Sequence, residues 1–185
     1  MKTKKRWRIF TISLKTENNI METPSIGRAR ELARKLLKDS SCTNTPVMLK
    51  DVISYLKNKS GLECSPLNLS ETISGFLIED ETVSAIAYNI SHHVHRQRFT
   101  VAHEIGHFML SHNNQRKNDI DRDKTNSAHE KEANAFATEL LMPLEFLKKD
   151  LKMSIDIDEL AKKYWVSKDA MSWRIQDPTV LKYVK

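Results

Sequence analysis

The segment His103, Glu104, Ile105, Gly106, His107 sets two imidazoles four positions apart, with a carboxylate beside the first. On a helix, positions i and i+4 share one face a turn apart, so both rings can reach a single metal ion. Zinc suits such a pair because it accepts neutral imidazole nitrogen, tolerates an open fourth position and brings the pKa of a bound water toward neutrality. Glu104 is then placed to act on that water as a base. The H-E-x-x-H spacing therefore predicts metal-assisted hydrolysis, with His103 and His107 as ligands of one Zn2+ and Glu104 as the catalytic residue.

A surface helix could match this spacing by chance in a chain with 7 His. The neighbours argue otherwise. Thr100 reads as an N-cap, and Val101, Ile105, Phe108 and Met109 recur at helical spacing, which puts the motif on a buried amphipathic helix. A third ligand is still needed. The metzincin extension requires a glycine and a histidine where this chain has Leu110 and Asn113, so that branch is excluded. His112, nine residues after His103, falls two and a half turns along the same helix and reads as a solvated or capping residue.

The remaining arrangement is the gluzincin one, in which a second helix delivers a carboxylate and, four residues later, a polar side chain that orients a zinc-bound histidine. Residues 128–142 form such a helix, with Ala133, Phe136, Ala137, Leu140 and Leu141 as its apolar stripe and Pro143 ending the run. Of its carboxylates only Glu130 is followed at i+4 by a suitable polar group, Asn134. Glu130 is the preferred third ligand and Glu132 the alternative, while Glu139 reads as a solvated helix charge.

At these residues the chain resembles a known family. Arg96-Gln97-Arg98-Phe99-Thr100-Val101-Ala102 running into the histidine motif, followed by residues 130–143 with Ala133, Asn134, Phe136, Ala137 and Leu140 through Pro143, is similar to the paired motifs of the ImmA/IrrE metallopeptidases. Looser similarity at Gly75-Phe76-Leu77, Tyr88-Asn89, and Leu160 through Met171 extends the resemblance over roughly residues 25–175. It implies a small gluzincin-like α+β domain with zinc at His103, His107 and Glu130 and with Glu104 catalytic. Family members are mostly bacterial and phage-borne cytoplasmic proteins, often paired with a helix-turn-helix repressor that they cleave or inactivate. The implied partner is such a repressor, encoded nearby.

Composition fits a small enzyme. At 185 residues and 39% hydrophobic content one domain is expected, over residues 25–185, with 144–185 as a helical C-terminal segment. No apolar run is long enough to span a bilayer, and the stretch from Trp7 to Leu14 is broken by Arg8, Thr11 and Ser13, unlike a signal peptide. Cys42 and Cys64 form no C-x-x-C pair, so reduced thiols in the cytoplasm are expected. The first fifty residues hold 12 Lys or Arg against 4 Asp or Glu, whereas the remainder holds 18 against 20, so the basicity is local. Residues 1–24 read as a solvated basic arm, with contact to nucleic acid the less favoured reading.

The elements that must position the site follow from periodicity. Ser25 precedes a helix with Ala29, Leu32, Ala33, Leu36 and Leu37 on one face, and Thr45-Pro46 opens another that stops near Gly61. Residues 75–78 and 82–90 read as two strands joined by a polar turn at residues 79–81, the second offering its edge to a substrate backbone by analogy with gluzincins. Residues 113–127 read as a polar loop beside the site, and His92, His93 and His95 as surface groups near the cleft. Candidates to stabilise an oxyanion are Tyr88, His95, Arg98 and Tyr164, with no basis in sequence to choose among them. Residues 155–164 and 167–175 resemble a helix-turn-helix with Lys168 and Arg174 as base-reading side chains and with Met171 and Trp173 packed inward. That pair carries the alternative function, a metal-containing regulator that binds protein or DNA without hydrolysis.

Overall fold

The helix predicted after Ser25 forms with its predicted apolar face turned inward. In α1 (Ile26–Asp39) the buried residues are Ala29, Ala33, Leu36 and Leu37, spaced as one stripe of a 3.6-residue repeat. The structure is a computed structural model and describes residues 23–80, 82–112, 127–153 and 156–184. The basic arm, apart from its last two residues, and the loop of residues 113–126 lie outside the described residues.

Helix α2 (Leu49–Ser60) ends on Gly61, whose φ of 73° is the left-handed cap that glycine adopts without strain. Its start differs from expectation by three residues. Val47 is fully buried and its carbonyl accepts a hydrogen bond from Arg98 Nη2 at 3.0 Å, so the chain after Pro46 is held by the core and the helix begins beyond it.

The sheet has three strands in the order β1-β3-β2, from β1 (Glu63–Leu67), β2 (Gly75–Glu79) and β3 (Ser84–Asn89). β1 was not expected from the sequence. It is mostly exposed and contains Pro66, which suits only an edge strand, and it pairs parallel to β3 from Glu63 opposite Ala85 to Leu67 opposite Asn89. β2 pairs antiparallel to β3 from Gly75 opposite Tyr88 to Glu79 opposite Ser84. The second strand of the predicted hairpin is therefore central, with both edges occupied, and cannot add a substrate strand. Among the described residues the outer edge of β2 is unpaired.

Below the sheet lie α3 (Val94–Leu110) and α4 (Ala128–Leu141), followed by α5 (Leu144–Asp150), α6 (Ile157–Tyr164), α7 (Lys168–Gln176) and α8 (Pro178–Leu181). The result is the expected α+β fold, and one core joins its parts: Leu36 from α1, Leu56 from α2, Ile86 from β3, Ile105 from α3, Leu140 from α4 and Met171 from α7. No described helix is long and apolar enough to cross a membrane. Cys42 and Cys64 are both free thiols.

Two side chains assigned to solvent or to DNA, Glu139 and Arg174, prove structural. Glu139, read as a solvated charge, is buried and pairs with Arg174 at 2.5 Å and Arg34 at 2.9 Å. Arg174 is thereby consumed in the core and is not available to read bases. Lys168 pairs with Asp158 at 2.9 Å, and Trp173, expected to pack, is 75% exposed while Met171 packs as expected. The helix pair α6 and α7 exists, but of its named base readers Arg174 is buried, while Lys168 stays exposed in a surface ion pair.

Gly106 sets how closely α3 and α4 approach. A Cβ there would lie 3.2 Å from both the Cα and the carbonyl oxygen of Ala133, backbone atoms that cannot rotate aside. Gly106→Ala is expected to destabilise the domain by about 1–3 kcal/mol through overpacking at this crossing. Denaturant unfolding checks this, and an unchanged midpoint would show that the two helices separate freely.

Candidate metal centre

Helix α3 begins earlier than the sequence suggested. Thr100 is an interior, buried residue, and the N-cap is His93, whose Nδ1 accepts from the backbone N–H of His95 at 3.3 Å. A histidine performing the usual task of Ser or Asp conceals the start from composition rules. His92 bonds through Nε2 to the carbonyl of Glu71 at 3.0 Å, tying the approach to the helix to the segment before β2.

His103, His107 and Glu130 converge as the i+4 argument and the family resemblance expected. His103 Nε2 lies 2.9 Å from His107 Nε2, and each lies 3.2 Å from an oxygen of Glu130. Ligands at 2.0–2.1 Å on a tetrahedral ion are about 3.3 Å apart, so these three atoms have the spacing of three corners of a zinc site. Among the described residues this is the one group of His, Cys, Asp or Glu with such convergence.

The surrounding hydrogen bonds decide where the lone pairs point. His103 Nδ1 is 2.9 Å from Asn134 Oδ1, an acceptor, so that nitrogen carries the proton and Nε2 presents its lone pair inward. This is the second-helix amide expected from the Glu130 to Asn134 spacing. On the other ring, His107 Nδ1 is 3.0 Å from His112 Nδ1, and His112 Nε2 is 2.8 Å from Glu132 Oε2. A carboxylate only accepts, so His112 Nε2 donates to Glu132, its Nδ1 accepts from His107, and His107 Nε2 is left to face the centre. Two imidazole lone pairs and a carboxylate therefore meet at one point, an arrangement that repels itself unless a cation lies between them. The donor set fits zinc.

Glu132, the alternative third ligand, faces away from the centre. Its Oε1 accepts the backbone N–H of Ser25 at 2.5 Å while Oε2 holds His112, tying the start of α1 to the site.

His112 corrects the sequence reading most directly. Extrapolating α3 carried it into solvent, but the helix ends at Leu110, and Ser111 at φ 58° turns the chain back so that His112 is 5% exposed against His107. A non-glycine residue in the left-handed region gives no compositional warning. Its position just past the end of the motif helix was the only available signal. Because Glu132 and His112 turn the Nε2 lone pair of His107 toward the centre, Glu132→Ala and His112→Ala should each weaken zinc affinity about 10- to 100-fold. Competition titration against a chromophoric chelator checks this, and unchanged affinity in both variants would remove the relay from the account.

The centre opens into a cleft of about 320 Å³ lined by Ser74, Gly75, Arg96, Phe99, Thr100, His103, Glu104 and Asn134. Glu104 is mostly buried at its wall. Gly75 is required there, since a Cβ would come within 2.6 Å of the Ala87 carbonyl oxygen. Two oxyanion candidates fall away. Arg98 spends its guanidinium on the carbonyls of Trp165 and Val47, each at 3.0 Å, and Tyr164 is fully buried with its hydroxyl on Asp150 at 2.8 Å. Tyr88 and His95 do not line the cleft, whereas Arg96, not considered from sequence, does, steadied by the Ser74 hydroxyl at 2.8 Å.

A peptidase-family model described as IrrE N-terminal-like domain matches residues 62–176. The chain belongs to this family. The match begins just before β1 and ends at the last residue of α7, so the IrrE-like domain includes the sheet and the two helices that carry His103, His107 and Glu130. Among solved structures, a Mycobacterium tuberculosis transcriptional regulator is similar over 82% of this chain at a TM-score of 0.61 and 17% identity, which establishes a shared fold. The IrrE-like chain covers 48% of that regulator's length. No curated protein matches by sequence.

Proposed function

We propose that this IrrE-like chain is a zinc-dependent endopeptidase that cuts a regulatory protein, with a helix-turn-helix repressor encoded nearby as its substrate. The observation that carries the reading is the convergence of two oriented Nε2 lone pairs and the Glu130 carboxylate on one point beside Glu104. Membership of a peptidase family supports it. Zinc held by His103, His107 and Glu130 would supply Lewis acidity and an acidified water. Glu104 accepts the proton of the attacking water and returns it to the leaving amine, so one carboxyl serves as base and then acid. Arg96 donates to the substrate carbonyl oxygen as negative charge develops on it. The unpaired outer edge of β2, whose first residue Gly75 lies in the cleft, takes the substrate main chain as an added strand.

The competing reading is a metal-containing regulator that binds its partner without cutting it, and the fold shared with a transcriptional regulator favours it. Co-expression with the neighbouring repressor followed by mass spectrometry separates the two. The peptidase reading expects a repressor fragment with wild-type protein and none with Glu104→Gln. An intact repressor whose inactivation survives that substitution would establish the non-hydrolytic regulator.

A further inference from the structure

A second cavity of about 450 Å³ adjoins the cleft, sharing Phe99 and Asn134 with it. Its other walls include Arg30, Trp173, Arg174 and Asp177, none of which the hydrolytic chemistry uses. Arg174 is 1% exposed. Its Nη2 donates to Glu139 and its Nε to the Met142 carbonyl at 3.1 Å, but Nη1 is buried without a hydrogen-bond acceptor and sits 3.8 Å from Asp177 Oδ2. Arg30 pairs with Asp177 through Nη2, and its buried Nε also lacks an acceptor. Two cationic residues on the wall of one cavity thus each carry a desolvated, unsatisfied N–H.

Among the described residues Arg30 and Arg174 both lie against Asp177, and Glu139 pairs with Arg174 and with the half-exposed Arg34, which Glu145 also faces. Desolvated guanidinium donors are costly to leave without acceptors, and the two oxygens of a carboxylate could supply one acceptor to each residue. Trp173 offers an exposed aromatic face on the same wall, suited to the apolar part of a peptide.

We propose that this cavity binds a peptide carboxylate, either an acidic side chain close to the cut bond or a free C-terminus. That the carboxylate belongs to a peptide rests on the peptidase reading; that the cavity takes an anion does not. The test is an NMR titration of the zinc-loaded, 15N-labelled chain, following the Arg30 Nε–H and the Trp173 indole N–H. The probes are N-acetylglutamate N-methylamide, N-acetylalanine, the neutral N-acetylglutamine N-methylamide, and inorganic phosphate. At least one carboxylate should move both resonances saturably while the neutral amide does not, and the tighter of the two identifies the source. Arg30→Gln should weaken that binding about tenfold or more, read from Trp173, whereas substituting Arg174 would strand Glu139 in the core. The proposal is overturned if the neutral amide binds as well as the carboxylates, if only phosphate binds, if neither resonance moves, or if Arg30→Gln binds undiminished. Since no arm needs peptide cleavage, failure here leaves the hydrolysis test intact, and failure of hydrolysis leaves these shifts readable.

Discussion

Glu104→Gln is expected to keep its zinc and its fold and to lose peptide hydrolysis by about 10³-fold or more, because general acid and base assistance are removed together. The amide fills the volume of the carboxyl it replaces, so the neighbouring imidazoles keep their packing and hydrogen bonds. It cannot accept a proton from water. Single-turnover cleavage of the repressor, measured on wild-type and variant samples of equal zinc content, isolates the chemical step. A variant cutting within a few-fold of wild type would remove Glu104 from the mechanism.

His107→Ala should abolish stoichiometric zinc binding, a loss larger than that from any residue that merely orients the ligands. His107 is 1% exposed and supplies one of three converging donor atoms, so its removal leaves two ligands that cannot close a stable site. It also strands His112, whose Nδ1 loses its partner inside the protein. Metal analysis of the purified variant should find well under one zinc per chain, with a lowered unfolding midpoint. His103→Ala should match it in zinc loss. Full retention of zinc by either variant would show that the metal lies elsewhere.

The chemistry of this chain is legible where it follows from local spacing. The convergence of the i+4 histidines follows from helix geometry, and the preference for Glu130 over Glu132 rested on Asn134 one turn on together with the family resemblance. What escaped the sequence depends on contacts far apart in the chain. Glu139 is buried because Arg174 lies 35 residues downstream, and the burial of His112 depends on the left-handed turn at Ser111 and on Glu132 from another helix. The central place of β3 required β1, whose exposed residues and Pro66 hid it from any alternation rule. Glu132 shows the difference most sharply. In the sequence it stood as the alternative third ligand, but the fold turns it from the centre and sets it against His112, which bonds His107.

The central claim is that one zinc at His103, His107 and Glu130 works with Glu104 to cut a peptide bond. Chelator-stripped chain, returned to one equivalent of zinc and mixed with the repressor, tests it on a single preparation. The account predicts no cleavage without metal, restoration by one equivalent in wild type, and no restoration in Glu104→Gln or Glu130→Ala. Cleavage by the stripped protein, or restored cleavage in Glu104→Gln, would contradict it.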